Sequence, residues 1–433
     1  MRRIVLFLLA LTWMLPLSAQ PDSTAKTPKR EFRVTASAWS RGEIRDGAMP
    51  DETGADHAAF IMSNAVLGID YRYRGLEMRL SPKYFGVWGS SSNGGLAIEE
   101  GWFGLRHKSG LFFRLGRQIL SYDDQRIIGA NDWVMASNKH DLLLMGLERE
   151  RHKLHLMLAF NQNDSNTEGG LIYLEGGQPY KSMESVWYHV DPVKQLGASL
   201  LFMNVGMQDP SFPEENVTHQ QQLFGAYADW HPRNFSLQAS YYRQTGRDEY
   251  DLAIRAWMTS AEAAWQMTPR WRLNSGYFHM SGDENFNVPP QGAFGMARKT
   301  QVHGFNPIFG SHHQFYGAMD FFYVTTYYGG NTPGLQDFHA GIRWKPVPVL
   351  EFEAEYHYLA TSVAMEDAVK TLGHEVELSA SWQLMPDVRL LAGYSFMQGT
   401  ETMELLKRTS DKNRLHWGWL MLVITPEFFS TKW

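Results

Sequence analysis

The chain of 433 residues contains no cysteine, which excludes disulfide frameworks, thiolate metal sites and cysteine nucleophiles. It also lacks an excess of basic residues: 40 Lys and Arg stand against 46 Asp and Glu, a formal net charge of −6. A nucleic-acid binder needs concentrated Lys and Arg to neutralise phosphates, so this function is disfavoured. No internal apolar run approaches the roughly 18 residues of a membrane-spanning helix. The chain is instead rich in aromatic residues (14%), and its 44% hydrophobic content predicts an ordered protein.

The N-terminus has the pattern of an export signal. Arg2 and Arg3 precede a nearly continuous apolar run over residues 4–17, and Ser18 and Ala19 are small residues suited to signal peptidase. We predict a signal peptide over residues 1–19, followed by a flexible periplasmic segment over residues 20–30. The alternative is a retained membrane anchor, which the short apolar run disfavours.

Apolar and polar side chains alternate along much of the remaining chain. Leu67, Ile69, Tyr71 and Tyr73 share one face of a segment whose other face is polar, and the alternation resumes after Gly75. A period of two residues is typical of β-strands and not of helices. The pattern predicts an all-β protein made of hairpins with one apolar and one charged face.

Four of the apolar rows end in tryptophan just before a proline, at Trp230, Trp265, Trp344 and Trp382. A soluble β-sandwich also alternates, but its buried rows need not end in an aromatic residue. Transmembrane barrels place Trp and Tyr where the bilayer meets water. We therefore predict an antiparallel transmembrane β-barrel over residues 31–433, with short periplasmic turns and long extracellular loops.

The positions of the short turns predict the number of strands. They fall near Gly75, Ser109, Arg151, Pro192, Pro232, Pro269, Pro346 and Pro386. These turns, with a first strand at residues 31–41 and a last strand at residues 414–425, give about 18 strands. Residues 281–335 are then one long loop. A further hairpin around residues 314–328 would give 20 strands, which is the alternative.

The last predicted strand carries an apolar row that we expect to face the lipid. Its members are Leu415, Trp417, Trp419, Met421 and Val423, and the sequence ends at Trp433. A terminal aromatic after an amphipathic strand suits recognition by the barrel-assembly machinery. Outer-membrane lipid and lipopolysaccharide are the other partners that this architecture implies.

Two sequence blocks have the residue pattern of a known protein family. The first spans residues 116–129 and continues to Asp132 and Trp133. The second spans residues 305–310 and continues with His312, Phe315, Tyr316, Gly317 and Asp320, while residues 42–45 are more faintly similar. These blocks resemble the alginate export family of outer-membrane barrels. The resemblance implies an 18-stranded barrel that exports the anionic polysaccharide alginate through an electropositive pore.

The charges on the predicted lumen face fit such a pore only in part. Basic residues cluster on the first five strands: Arg33, Arg41, Arg72, Arg79, Lys83, Arg106 and Arg114. Acidic residues cluster on two later strands: Glu351, Glu353, Glu355, Glu375 and Glu377. Further positive charge comes later from Arg272, Arg343, Lys345, Arg389 and Arg414. The pattern predicts a transverse field across the lumen, and the alternative is that the charges only solvate a water-filled pore.

The first block offers a candidate ligand site. Arg117 and Arg126 flank Asp123 and Asp124, and guanidinium groups bind carboxylates and hydroxyls in a fork-like geometry. We predict that the two arginines bind a passing sugar and that the two aspartates hold them in place. The alternative is a salt-bridged loop with a structural role. The other predicted selectivity residues are Arg72, Arg79, Arg114, Arg272, Arg343 and Arg389.

The second block lies in the long loop, where glycines and aromatics alternate. So many aromatic side chains would be unfavourable in water, so we predict that the loop folds into or over the lumen and narrows it. An exposed surface loop is the alternative. The predicted constriction residues are Phe305, Asn306, Phe309, His312, Phe315 and Tyr316.

Metal and enzyme functions find little support in the sequence. Adjacent histidines such as His312 and His313 point to opposite faces of a strand, and no metal-binding spacing accompanies them. Asp123 and Asp124 lack the spacing of a calcium loop. Glutamates two apart on a strand, such as Glu351 and Glu353, do not flank a bound sugar as glycosidase carboxylates do. We predict no catalytic residue, no metal and no cofactor.

The sequence thus predicts a channel in the Gram-negative outer membrane. Its predicted function is passive diffusion of polar or anionic solutes, with an oligosaccharide or polysaccharide of the alginate type as the candidate solute. One alternative is a general, weakly selective porin. The other is a plugged barrel that acts in surface binding or adhesion.

Overall fold

The alternating segments form the wall of a closed antiparallel barrel in the computed structural model of the protein. The structure describes residues 29–46, 57–92, 94–135, 137–161, 180–212, 215–284, 299–322, 332–365, 368–407 and 414–433. The predicted signal peptide and nearly all of the predicted flexible segment lie outside these residues. No helix in the described part of the chain is both long and apolar enough to cross a bilayer.

The first half of the wall consists of strands joined by short turns at one end and longer connections at the other. These strands are β1 (Glu31–Asp46), β2 (His57–Tyr73), β3 (Leu76–Val87), β4 (Gly94–Arg106), β5 (Leu111–Gln118), β6 (His140–Glu148), β7 (His152–Phe160), β8 (Ser182–Val193), β9 (Leu196–Gln208), β10 (Thr218–Trp230) and β11 (Phe235–Gly246).

The second half repeats this plan with one long interruption. Its elements are β12 (Ala253–Ile254), β13 (Ala256–Thr268), β14 (Trp271–Met280), β15 (Gln301–Val302), a 3-10 turn (His312–Gln314), β16 (Leu335–Val347), β17 (Leu350–Ala360), β18 (Thr371–Met385), β19 (Val388–Gly399), α1 (Glu401–Lys407), β20 (Arg414–Ile424) and β21 (Glu427–Lys432).

Pairing of the first strand with the last closes the barrel. Successive long strands pair antiparallel, and β1 pairs with both β2 and β20. β21 also pairs with β1 after a break in register, so it continues the last strand past Pro426. Within the described residues, the wall therefore has 18 strands plus this extension, and the two-residue strands β12 and β15 pair with each other in parallel outside it. The predicted count of 18 is confirmed and the alternative of 20 is wrong.

The apolar rows form the outer surface, as the alternation predicts. Leu378 and Trp382 on β18 are each 50% exposed, while Glu375 on the opposite face of that strand is fully buried. Stacked aromatic pairs lie on the outside beside the short turns, including Trp271 with Trp344 at a ring separation of 5.5 Å. This arrangement places an aromatic belt at one lipid–water boundary.

The orientation predicted for the last strand is wrong. Trp417 is 2% exposed and its indole donates to Glu43 inside the barrel, whereas Leu420 and Leu422 are exposed on the lipid face. β20 is apolar on both faces, so alternation alone does not determine which row faces outward. The inward row is covered by loop residues, with Trp133 packed 5.1 Å from Trp419.

Candidate functional site

Two connections fold back into the barrel and form one body. We name residues 119–135, after β5, the first luminal segment, and residues 303–322, between β14 and β16, the second luminal segment. Gly129 donates its amide to the Phe309 carbonyl at 2.9 Å, Phe309 donates to Ile127 at 3.2 Å, and Ser311 donates to Gln125 at 2.9 Å. These backbone bonds join segments 180 residues apart into a single unit. The two segments contain the two sequence blocks that resemble the alginate export family.

The luminal body is fastened to inward-facing side chains on widely separated strands. The Gln244 amide on β11 donates to the Asn306 carbonyl at 2.6 Å and accepts from the Asn306 amide at 3.0 Å. On β18, Glu377 accepts from the Ala318 amide at 2.6 Å and Glu375 accepts from the Met319 amide at 2.9 Å. The second luminal segment is therefore held at both ends through its backbone, and it lies inside the lumen in a fixed position.

The first luminal segment is held on the other side of the barrel. Asp123 accepts hydrogen bonds from Ser199 on β9 at 2.6 Å and from Trp187 on β8 at 3.0 Å. Burial raises the pKa of Asp123. The Tyr122 hydroxyl lies 2.9 Å from His155 on β7. Together the two segments therefore contact strands around most of the wall.

All six predicted constriction residues lie in the second luminal segment. Phe305, Phe309, His312 and Tyr316 are buried, and Phe315 is partly buried. Burial lowers the pKa of His312 to about 4, so this side chain is neutral inside the body at neutral pH. The neighbouring His313 binds Asp320 at 2.9 Å and stacks on Trp133. The structure thus gives the two adjacent histidines separate surroundings.

Arg126 and Arg117 do not form the joint site predicted from the sequence. Arg126 is 2% exposed; it donates to Glu262 on β13 at 2.7 Å and lies 3.3 Å from Asp124. Its guanidinium also stacks on Phe315 at 3.9 Å. Arg117 instead makes a bidentate pair with Asp141, with both distances 2.8 Å.

The partners of these groups correct the predicted ligand site. Of the two aspartates, only Asp124 contacts Arg126, because Asp123 is bound to β8 and β9. Arg126 therefore fastens the luminal body to the wall. Of the salt-bridged loop that was the alternative, the structure shows only the pair between Arg126 and Asp124.

The remaining predicted selectivity residues divide into three groups. Arg79 is bound by Asp70 at 2.9 Å and by Glu100, and Arg114 lies 3.7 Å from Glu77. Arg72 and Arg389 are exposed at the end of the barrel that carries the short turns. Arg272 and Arg343 line a cavity beside the luminal body.

Pairing across strands corrects the expectation of a basic wall facing an acidic wall. On the basic side, Arg106 binds Glu148 at 2.8 Å, and the ion pairs of Arg79 and Arg114 are similar. On the acidic side, Arg343 binds Glu353 at 3.0 Å. The basic cluster is largely neutralised by its neighbours, whereas on the acidic side Glu351 and Glu353 are paired with Arg343 and Lys345. The transverse field is therefore weaker than the one-strand pattern suggests.

The cavity of about 370 Å³ lies between the luminal body and strands β11 to β18. Its basic lining residues are Arg126, Arg272 and Arg343. Its acidic lining residues are Asp124, Glu262, Asp337, Glu353, Glu355 and Glu377. Carboxylates thus outnumber guanidinium groups there, which differs from a uniformly basic pore.

Sequence analysis missed the histidines of this cavity. His339 on β16 lies directly opposite His357 on β17, and Asp337 precedes His339 by two residues on the same inward face. The sequence signal that could have indicated them is an Asp-x-His pair on one strand of a predicted hairpin and a histidine on the other strand. A bulge between Trp344 and Val347 shifts the register, so spacing alone did not place the two histidines opposite each other.

Gly317 is required where the second luminal segment meets β18. Its φ of +87° is unfavourable for other residues, and a Cβ there would overlap the Glu375 carboxylate. We expect Gly317→Ala to cost roughly 1–2 kcal/mol in backbone strain alone and to loosen the segment. Hydrogen exchange of residues 303–322 should then rise. Gly418→Ala, where a Cβ meets no atom within 4 Å, is the matched control, and equal exchange in the two variants would contradict the prediction.

Comparisons with known proteins agree on the architecture. OccK5 (OpdH) of Pseudomonas aeruginosa superposes with a TM-score of 0.61 at 12% identity, covering 92% of this chain and 99% of that one. OccAB4 of Acinetobacter baumannii superposes with a TM-score of 0.62 at 9% identity, covering 94% and 100%. At such identities the likeness concerns the fold. No curated sequence matches the chain significantly.

The family assignment comes from the sequence itself. The model of the alginate export family matches residues 93–404, most of the chain. The match includes both luminal segments and the strands that line the cavity. With its closed barrel and its apolar outer face, the chain belongs to the alginate export family and is a channel of the Gram-negative outer membrane.

Proposed function

We propose that this channel conducts polar or anionic solutes of limited size along a path narrowed by the luminal body. The observation that carries the proposal is the backbone fastening of the second luminal segment to Gln244 on one strand and to Glu375 and Glu377 on another. A segment held at both ends reduces the open cross-section permanently, whereas a wide porin leaves an aqueous channel. Passage is therefore selective by size.

Selection within the narrowed path rests on alternating charges. Arg343 lies 3.0 Å from Glu353 and 3.5 Å from Glu351, and Lys345 lies 3.6 Å from Glu351. Such a ladder offers donors and acceptors at short intervals, which suits a polyhydroxylated solute with carboxylates better than a bare ion. Short uronic-acid oligosaccharides combine these groups, so they are the proposed solutes. Export of alginate polymer is the second candidate, and family membership favours it.

The proposal is tested by single-channel currents of the purified, refolded protein in planar bilayers. We expect steady current steps that short uronate oligomers block in a saturable manner and that neutral oligosaccharides of equal length affect less. Arg343→Gln should change ion selectivity and weaken the block, while Arg389→Gln, an exposed arginine at the end of the barrel, should change both much less.

The other possible results of this experiment would support one of the alternative functions. A current that no sugar affects would overturn the proposal in favour of a general, weakly selective porin. Absence of current from a correctly folded barrel would indicate a plugged barrel with a role at the surface. Recognition of β21 and Trp433 by the barrel-assembly machinery stays a prediction.

A further inference from the structure

Three donor atoms converge on the cavity wall at β16 and β17. The Asp337 carboxylate oxygens both lie 3.0 Å from Nδ1 of His357, and one lies 3.4 Å from Nδ1 of His339. Each of the three residues offers a ligand atom within 4.8 Å of the other two. In a tetrahedral site with bonds of about 2.0–2.1 Å, ligand atoms are about 3.3 Å apart, so the carboxylate-to-imidazole distances match the edges of such a site.

The far side of each imidazole ring is held by a carboxylate. Nε2 of His339 lies 2.7 Å from Glu262, and Nε2 of His357 lies 3.3 Å from Glu377. A carboxylate on the second ring nitrogen is the usual partner of a metal-bound histidine, because it fixes the tautomer and the ring orientation. Here it leaves both Nδ1 atoms directed at Asp337.

Burial adds an independent indication. Asp337 is 2% exposed, and His339 is 8% exposed. Nδ1 of His339 is buried and faces an Asp337 oxygen at 3.4 Å, which is longer than an ordinary hydrogen bond. A metal ion between the two groups would give this buried nitrogen a short bond in place of the long contact.

We propose that Asp337, His339 and His357 form a binding site for a divalent transition-metal ion of the zinc class. Two imidazoles and one carboxylate favour such an ion over calcium or magnesium, which prefer oxygen ligands. The fourth position faces the cavity and is open to water or to an oxygen of a solute. A second group, Glu355 with His357 and Glu377, has two carboxylates and shares His357 with the first group. In the proposed site, Glu377 holds the His357 ring in position through Nε2.

A bound divalent ion would change the electrostatics of the path. Imidazoles bind a metal ion only in their neutral form, so the ion takes the place of protons between the histidines and their carboxylates. It would also present an open coordination position to the cavity, where a carboxylate or hydroxyl oxygen of a solute could bind.

The test uses the full chain in detergent and Zn²⁺ or Co²⁺ alone as the probe. We expect one ion per barrel by calorimetry, and visible absorption of Co²⁺ with the intensity of tetrahedral coordination. His339→Gln and Asp337→Asn should each weaken binding at least tenfold, and Glu262→Gln should weaken it about 10- to 100-fold. His189→Gln, which alters a histidine on β8 away from the cluster, should leave binding unchanged.

Two results would overturn the proposal. One is the absence of stoichiometric binding to the folded wild-type barrel, which would make the cluster a network of charged histidines and carboxylates. The other is binding that survives Asp337→Asn but is lost in Glu355→Gln, which would place the ion in the other group. Because the wild-type protein itself gives the first answer, variants that fail to fold do not remove the test. A change of single-channel conductance on adding Zn²⁺, absent in His339→Gln, is the expected functional readout.

Discussion

Replacing residues 304–320 with a short Gly-Ser linker is expected to raise single-channel conductance several-fold. These residues cross the lumen, and the wall does not depend on them, since the strands of the barrel are hydrogen-bonded to one another. An 18-stranded barrel without such a segment is wide enough for an aqueous channel. The measurement is the current step in a planar bilayer, with heat-modifiable migration on gels as the check of folding.

A matched control shortens a connection whose described residues, 210–212 and 215–216, do not line the cavity. Replacing residues 210–216, between β9 and β10, by the same linker should leave the conductance near the wild-type value. Block by uronate oligomers should disappear only in the first variant. Equal conductance in the two variants would show that the second luminal segment does not limit the path.

Arg126→Ala is expected to release the luminal body from the wall. Arg126 is buried between Asp124 and Glu262 and stacks on Phe315. Its loss removes the ion pair of Asp124 and one of the partners of Glu262, which still contacts His339. Breaking a buried pair in this way typically costs about 3–5 kcal/mol. The local stability of the luminal body should fall by that order, while the wall remains intact.

The readout is limited proteolysis and hydrogen exchange of residues 303–322, together with current noise in bilayers. Arg126→Lys keeps the positive charge but loses the forked hydrogen bonds and the planar stacking of the guanidinium. We therefore expect hydrogen exchange of residues 303–322 to lie between the wild-type and Arg126→Ala values. Arg117→Ala is the control, since its pair with Asp141 is more than a third exposed on average and should contribute below about 1 kcal/mol. If Arg117→Ala loosened the segment as much as Arg126→Ala, the fastening role of Arg126 would be wrong.

The sequence was a good guide to the wall because a barrel strand has only two faces. Where one face is apolar and the other polar, as in residues 67–73 and 376–382, alternation determines which side meets lipid. The rows ending in Trp344 and Trp382 face outward as predicted. The same reasoning failed at β20, where both faces are apolar and the loop residue Trp133 decides which row is covered.

The site was less predictable because its residues are far apart in sequence. The two blocks that resemble the alginate export family were found, but their mutual contact was not, since nothing local to residue 129 indicates residue 309. Arg126 was paired with its sequence neighbours, whereas its shortest hydrogen bond is to Glu262, 136 positions away. His339 and His357 lie opposite each other because a bulge shifts the register of the hairpin, and residue spacing does not reveal that bulge.

The sequence by itself determined the all-β architecture, the short turns, the 18 strands and the lipid-facing rows of strands with one apolar face, because these depend on periodicity and on local turn chemistry. Only the tertiary structure decided which charges neutralise one another, how the two luminal segments join, and where Asp337 meets the two histidines. Those features depend on pairing across strands and on burial inside a closed wall. There the low solvent access strengthens each polar interaction and makes an unpaired polar group costly. Residues distant along the chain acquire these partners only when the strands pair and the luminal segments fold against the wall.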